Sequence, residues 1–379
     1  MWNSRIEKGG RWKMMDKALG YCSEGLSMGE EMEEWFGVPR LAIVGVGGAG
    51  NNSMGRLEAL GGLEDVDRIA INTDKLHLDS VECERKLLIG KSLTRGLGSG
   101  GAPDVGRKAA ELDREVLQEL FEGKNFVFLT AGMGGGTGTG AAPVIAEVAK
   151  EAGAIVVAMV SFPFEVERRR RDRAAEGIKK LRDTTDTVIV LENDKLIKYA
   201  GNLPVNEAFK TMDTLIADTI QGIAETITRP SLVNLDFADL KSVMEAGGVA
   251  VMLVGETSKA ENKSEAVVED AFSHPLLDAD YRGAKGALIH VTGGSDLTMK
   301  ETNDIVELLT YELDQDANVI WGARINDGCN GTAKVTAILT GVEPKWTFGG
   351  DLSKREKVMN SNERPVHRGA ISDIIPIIK

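Results

Sequence analysis

The chain has 379 residues, 42% of them hydrophobic and 27% charged, which is the composition of a globular protein and excludes wholesale disorder. Its 45 basic and 58 acidic residues give a net charge of −13, which disfavours duplex nucleic acid as the main partner. Three widely spaced cysteines predict neither a disulfide framework nor a zinc site, and they favour a reducing cytoplasm. The sequence has no apolar run of about 18 residues, so no direct membrane insertion is predicted.

Residues 1–39 are predicted to form a flexible N-terminal extension. The segment is basic as far as Lys17 and acidic at Glu24 and over Glu30–Glu34. Chain ends of this polar kind are ordered poorly unless another element holds them.

From residue 40 onward, apolar runs alternate with segments of helical character. Buried strands are predicted at Leu41–Val44, Ile69–Asn72, Phe126–Leu129, Ile155–Val160 and Val188–Leu191. Helices are predicted at Met54–Leu60, Val105–Phe121, Ala141–Lys150 and Ala174–Leu181. This alternation predicts an α/β fold with a doubly wound parallel sheet, whose ligands bind beyond the carboxyl ends of the strands.

Much of the glycine is concentrated in three clusters, at Gly45–Gly50, Gly96–Gly101 and Gly132–Gly140. The first cluster alone fits a dinucleotide fingerprint, and with Asp74 as a ribose-binding acid it leaves a nicotinamide-dependent oxidoreductase open. The third cluster contains GGGTGTG before a helix, where backbone N–H groups and two hydroxyls favour a phosphate group. Three such loops suit a triphosphate better than a pyrophosphate.

A long helix is predicted at residues 204–229, ending before Pro230. Its apolar residues recur at intervals of three and four and are Val205, Phe209, Met212, Leu215, Ile216, Ile220 and Ile223. Such a helix spans about 39 Å, the width of a small domain.

The string GGGTGTG at Gly134–Gly140 resembles the signature of the tubulin/FtsZ superfamily. Four further segments resemble FtsZ loops in the same order, namely Gly45–Asn52, Asn72–Asp74, Leu93–Lys108 and Asn234–Asp239. The resemblance covers residues 40–342 and is greater to archaeal than to bacterial FtsZ.

The resemblance implies a Rossmann-like GTP-binding domain at residues 40–203, a central helix at 204–229, a smaller α/β domain at 230–342 and a tail at 343–379. It implies a cytoplasmic cell-division GTPase that polymerises head to tail with itself, hydrolyses GTP at the subunit interface and forms a ring at mid-cell. The alternatives are a cytoskeletal protein of the same superfamily for cell shape or DNA segregation and, from a different class, the oxidoreductase, which has no use for GGGTGTG.

Several residues are assigned to GTP or GDP by the resemblance. They are Gly48, Ala49, Gly50, Asn51, Asn52, Asp74, Gly100, Gly101, Gly134, Gly135, Gly136, Thr137, Gly138, Thr139, Glu167, Arg171, Asn193, Phe209 and Asp213. Glu167 and Arg171 match the pair near the ribose, and Asn193, Phe209 and Asp213 match the guanine pocket. An ionised Asp213 can accept from guanine N1–H and N2–H, which adenine does not offer. From pattern alone, Phe209 would be a core residue and Asp213 a solvated acid on the helix surface.

The predicted catalytic residues are Asp236 and Asp239, which would orient and polarise the attacking water with help from Asn234. Carboxylates beside a triphosphate require a cation between them, which implies Mg²⁺, although no side-chain ligand of the metal is predicted. Alternatively, Asp236 caps the following helix. Lys75, Ala102, Arg168 and Glu192 depart from the family pattern, which bears on nucleotide affinity and turnover, and Arg168–Arg170 are expected to form a solvated basic face.

The chain closes with Ser372–Lys379, which carries four isoleucines after a polar linker. These side chains either fold back onto the body or form a short motif that docks a membrane-anchoring adaptor protein, as FtsZ tails do. We favour the second reading.

Overall fold

The computed structural model describes residues 39–60, 66–228, 237–245, 248–259, 261–273 and 281–342. The predicted N-terminal extension, the tail motif, Asn234 and Asp236 lie outside the described residues.

The described strands and helices alternate through the first two hundred residues. The strands are β1 (Leu41–Val46), β2 (Val66–Asn72), β3 (Arg85–Leu88), β4 (Phe126–Gly132), β5 (Ile155–Phe162), β6 (Thr187–Glu192), β7 (Val249–Thr257), β8 (Gly286–Gly293), β9 (Asn318–Ile325) and β10 (Ala333–Val342). The helices are α1 (Gly47–Leu60), α2 (Lys75–Ser80), α3 (Lys91–Thr94), α4 (Pro103–Leu112), α5 (Arg114–Phe121), α6 (Thr137–Glu151), α7 (Arg168–Thr184), α8 (Asn193–Ala200), α9 (Val205–Thr228), α10 (Phe237–Glu245), α11 (Lys263–Ser273) and α12 (Met299–Thr310). Short 3₁₀ helices lie at Glu165–Glu167 and Asp327–Cys329.

All ten described strands belong to one sheet, in the order β3-β2-β1-β4-β5-β6-β7-β10-β8-β9. The first six strands pair in parallel, which confirms the predicted fold class. The sheet continues into the second part of the chain through two parallel residue pairs, Val188–Val249 and Ile189–Ala250. Beyond this junction, β10 runs antiparallel to β7 and β8, and β9 is parallel to β8.

The central parallel strands β1, β4, β5 and β6 are largely apolar and buried because both faces of the sheet are covered there, whereas the edge strand β3 begins with two exposed basic residues. Along β1, Leu41 and Ile43 enter one core cluster whereas Ala42 and Val44 enter the other, as the alternation of side chains in a strand requires. The first cluster includes the buried stripe of α9, and the second includes the apolar residues of α6. The two central helices are therefore held on opposite faces of one sheet.

The predicted central helix is observed as α9, which has 24 residues and rises about 36 Å. Met212, Ile216 and Ile220 are buried as predicted, but Phe209 is 42% exposed. The apolar stripe thus leaves the core near the first turns of the helix and presents an aromatic ring at the surface.

Several elements differ from the sequence prediction. Helices α1 and α7 begin before their predicted starts at Met54 and Ala174. The helix predicted at Val105–Phe121 is two helices, because Asp113 leaves the helical conformation and its carboxylate accepts from the backbone N–H of Gly90 at 2.6 Å. The strand β3 and three short helices (α2, α3 and α8) were not predicted, since a four-residue edge strand and helices of four to eight residues carry little periodicity. Among the described helices, none has the length and apolar character that a membrane crossing requires.

Candidate nucleotide-binding site

The first glycine cluster lies where β1 passes directly into α1, at the carboxyl edge of the sheet. Helix α1 begins at Gly47, so the cluster forms the junction and the first turn of the helix. A side chain at Gly50 would overlap the carbonyl oxygen of Thr130 on the neighbouring strand β4. Glycine therefore permits the helix to lie against the strand.

The third cluster joins β4 to α6 and is held to two other loops by its threonines. The hydroxyl of Thr137 lies 2.7 Å from that of Thr73 and 3.0 Å from that of Ser99. The hydroxyl of Thr139 accepts from the N–H of Gly134 at 2.7 Å. The backbone N–H groups at this helix N-terminus have no acceptor within the helix and can bind an anion.

Glycines in these loops divide into those packed against backbone and those facing open space. Side chains at Gly106 and Gly140 would overlap the carbonyl oxygens of Gly136 and Pro103, respectively. By contrast, side chains at Gly100 and Gly135 would meet nothing within 4 Å. The packed glycines permit this close approach of the loops, whereas packing does not require glycine at the two open positions.

A cavity of about 300 Å³ lies beside these loops, between the end of β4 and helix α9. Its lining residues are Ala49, Asn52, Ser53, Thr130, Ala131, Gly132, Met133, Ser161, Pro163, Phe164, Glu167, Arg170, Asn193, Phe209, Met212, Asp213 and Ile216. The structure thus brings six residues assigned to the nucleotide into one cavity, from four different segments of the chain.

At one end of the cavity, Asp213 of α9 accepts a hydrogen bond from the Ser53 hydroxyl of α1 at 3.1 Å. Burial raises the pKa of Asp213 to about 6, against the opposing effects of this hydrogen bond and of the positive charge on Arg56. The exposed ring of Phe209 lies edge-on to Phe164, with centroids 5.9 Å apart. An acceptor pair and an aromatic face therefore stand together, as recognition of a guanine base requires.

Glu167 was expected to act with Arg171, but the two side chains are engaged separately. Glu167 pairs with Arg170 and accepts from the N–H of Phe164 at 3.0 Å. Arg171 instead donates to Asp194 at 2.7 Å and lies over the ring of Phe162. Arg170 is exposed, as expected for a solvated basic face, and it also lines the cavity. The three-residue spacing from Glu167 was the signal that could have found it.

Two further residues that were assigned to the nucleotide, Asp74 and Asn51, do not line the cavity. The carboxylate of Asp74 caps α2 by accepting from the N–H of His77 at 3.1 Å, and it does not line the cavity. Asn51 is fully buried, and neither polar atom of its side chain has a hydrogen-bond partner. Its neighbours Ala49 and Asn52 line the cavity.

Of the three predicted catalytic residues, Asp239 lies within the described part of the chain. It is exposed in the first turn of α10, and it does not line the cavity. Helix α10 follows the far end of α9, whose last residue, Thr228, is about 22 Å along the helix from Asp213. The structure therefore does not bring Asp239 to the cavity of its own chain.

A parallel sheet with glycine loops at its carboxyl edge and a long helix closing the cavity defines a nucleotide-binding protein of the tubulin fold. The chain matches the model of the Tubulin/FtsZ family, GTPase domain, over residues 40–201 and that of the FtsZ family, C-terminal domain, over residues 248–343. It therefore belongs to the Tubulin/FtsZ family, and it is a cell-division GTPase of the FtsZ type, which excludes the oxidoreductase alternative.

Similar proteins include Cell division protein FtsZ 2 of Haloferax volcanii, 52% identical over 91% of this chain and 87% of that protein. Cell division protein FtsZ 2 of Methanocaldococcus jannaschii is 54% identical over 86% of each chain. An FtsZ dimer from M. jannaschii superposes with a TM-score of 0.77 at 40% identity, over 88% of this chain and 94% of that one. These relatives confirm the similarity to archaeal FtsZ.

Proposed function

We propose that this GTPase polymerises head to tail and hydrolyses GTP between adjacent copies, so that each cavity is completed by the catalytic acids of the next chain. The observation that carries the proposal is that the cavity lies beside the first half of α9, whereas Asp239 lies outside it on α10, the helix that follows α9 in the chain. A single chain would not bring Asp239 to a phosphate in its own cavity, whereas two copies stacked in the same direction would bring it to the cavity of the neighbour. Such an interface does not close on itself and generates a filament.

Within the cavity, Phe209 would stack on the guanine and Asp213 would accept from its N1–H and N2–H groups. Glu167 would lie at the ribose with Arg170, and the phosphates would extend onto the N-terminus of α6. The backbone N–H groups there favour anions without adding a charged side chain. This arrangement suits an acidic protein that nevertheless binds a polyanion.

Mg²⁺ fits this site as an ion bound mainly by the phosphates of the nucleotide rather than by a set of protein side chains. Within the described residues, no three His, Cys, Asp or Glu side chains come together as metal ligands. Mg²⁺ characteristically keeps several waters and binds substrate phosphates with one or two carboxylates at most. When bound, it would neutralise charge on the phosphates, while Asp236 and Asp239 of the adjacent copy orient the attacking water with Asn234.

The proposal extends to location and partners. As a division protein it would act in the cytoplasm at the mid-cell ring, and its net charge of −13 disfavours nucleic acid as a main partner. The isoleucine-rich segment Ser372–Lys379 would dock a membrane-anchoring adaptor.

The test measures GTP turnover per chain against protein concentration for the wild type and for Asp239→Ala. Catalysis between copies predicts a threshold concentration, together with strong loss of turnover in Asp239→Ala and unchanged GTP binding. Glu115→Ala is the control, because Glu115 is also an exposed acid in the first turn of a helix. A rate per chain that does not vary with concentration, or an active Asp239→Ala protein, would refute the proposal.

A further inference from the structure

Ser53 is a buried polar residue on the cavity wall to which neither the sequence motifs nor the resemblance gives a role. It lies on α1, is 4% exposed, and its hydroxyl is 3.1 Å from Oδ1 of Asp213 on α9. The same oxygen is 3.4 Å from the carbonyl oxygen of Ala49. A hydroxyl has one proton to donate, and an ionised carboxylate is the stronger acceptor, so Asp213 receives it.

We propose that Ser53 is the residue that positions Asp213 for reading the guanine base, by fixing its carboxylate on the cavity wall and favouring its ionised form. This inference rests on the proposed placement of the base between Phe209 and Asp213. It adds a specificity-determining residue that does not itself have to touch the nucleotide.

The ionised form matters because guanine offers two donors, N1–H and N2–H, to the carboxylate. A protonated carboxyl group presents a donor on one oxygen and therefore opposes one of the two base donors. Two groups favour the ionised form of Asp213 against its burial, the Ser53 hydroxyl and the positive charge of Arg56, both on α1. Glu167 and Arg170, which also line the cavity, pair with each other. Asn193, at the start of α8, is uncharged.

The two groups on α1 differ in kind. Arg56 acts on Asp213 through its charge alone, whereas Ser53 makes a directional contact that restricts rotation of the carboxylate. Removing the hydroxyl therefore changes both the protonation and the orientation of Asp213. Loss of one hydrogen bond to the charged form raises the pKa of a carboxyl group by about one unit or more.

The experiment measures GTP affinity by calorimetry from pH 6.0 to 8.5 for wild type, Ser53→Ala and Ser53→Thr, without turnover. The quantity compared is the ratio of the variant and wild-type dissociation constants at each pH, in which the titration of the phosphates cancels. If the pKa of Asp213 rises by one unit in Ser53→Ala, the ratio is about 3 at pH 6.5 and falls to within about twofold of unity at pH 8.5. Ser53→Thr, which keeps the hydroxyl, should restore the wild-type profile.

Ser264→Ala is the matched control, since Ser264 is also buried and donates to a carbonyl oxygen, that of Glu301. A ratio for Ser53→Ala that is constant across pH, or equal to that of Ser264→Ala, would overturn the inference. Asp213→Asn separates this outcome from failure of the proposed function. If Asp213→Asn binds GTP as the wild type does, the base does not bind at Asp213 and the proposed function fails. If Asp213→Asn binds GTP weakly but Ser53→Ala has the same pH profile as the wild type, only the role of Ser53 is rejected.

Discussion

Replacing Asp213 by asparagine should make the nucleotide-free protein more stable and a poorer GTP-binding protein. The fold buries this carboxylate beside Ser53, and burial is unfavourable for its charged form. Asparagine has the same shape and can accept from Ser53, but it carries no charge. The substitution therefore removes the electrostatic cost of burial together with one of the two acceptors offered to guanine.

The magnitude follows from the pKa of Asp213, which is raised from its ordinary value of 3.8 to about 6. A shift of about two units corresponds to about 3 kcal/mol. Because a raised carboxyl pKa means that the folded state holds the proton more tightly, the corresponding stability is present at low pH and is lost as the pH rises through about 6. Asp213→Asn should therefore exceed the wild type in unfolding free energy by up to about 3 kcal/mol at pH 8, and by about half of that at pH 5.

Urea denaturation of both proteins without nucleotide, at pH 8 and pH 5, measures this difference. Calorimetry at pH 8 should show GTP affinity reduced at least about tenfold, because one hydrogen bond to a charged group is lost. Xanthosine triphosphate is a useful control, since its base has a carbonyl where guanine has the 2-amino group and can accept from the asparagine amide. An Asp213→Asn protein that is no more stable than the wild type at pH 8 would refute the reasoning.

Two other outcomes are expected. Gly50→Ala should destabilise the fold by more than about 2 kcal/mol in urea denaturation, because the added side chain would overlap the backbone of Thr130. Gly222→Ala in α9 is the control, since its side chain would meet nothing within 4 Å and should stabilise the fold by about 0.5–1 kcal/mol. Equal effects of the two substitutions would contradict the close approach of α1 to β4. Deleting residues 372–379 should abolish co-sedimentation with the membrane adaptor and leave GTP turnover unchanged, and retained co-sedimentation would reject the docking motif.

The sequence predicted the parts of the fold that depend on local pattern. The strands β1, β4, β5 and β6 were each found from an uninterrupted apolar run, and α9 from its regular stripe, with ends that differ by a few residues. The strands are buried on both faces and the helix along one side, so the pattern of apolar residues along the sequence is sufficient to predict them.

What the sequence missed depends on contacts between distant segments. The break at Asp113 requires the N–H of Gly90, and the exposure of Phe209 depends on where α9 leaves the sheet. Ser53 contacts Asp213 on another helix, which no pattern in its own segment indicates. Arg170 pairs with Glu167 three residues away, a spacing that is equally typical of a solvated helix surface. A pattern along one segment cannot distinguish these outcomes, because the deciding partner lies elsewhere in the chain.

The close contacts of the glycines in the loops also determine which glycine replacements a second substitution can compensate. At Gly106 and Gly140 the obstacle to a side chain is a backbone carbonyl, of Gly136 and Pro103, and no exchange of side chains removes a carbonyl. Gly132 differs, because the atom nearest to an added Cβ is the Cβ of Ala49, which a second substitution to glycine would remove. Loss of Gly132 can therefore be compensated by a partner mutation, whereas loss of Gly106 or Gly140 can be reversed only at the same position.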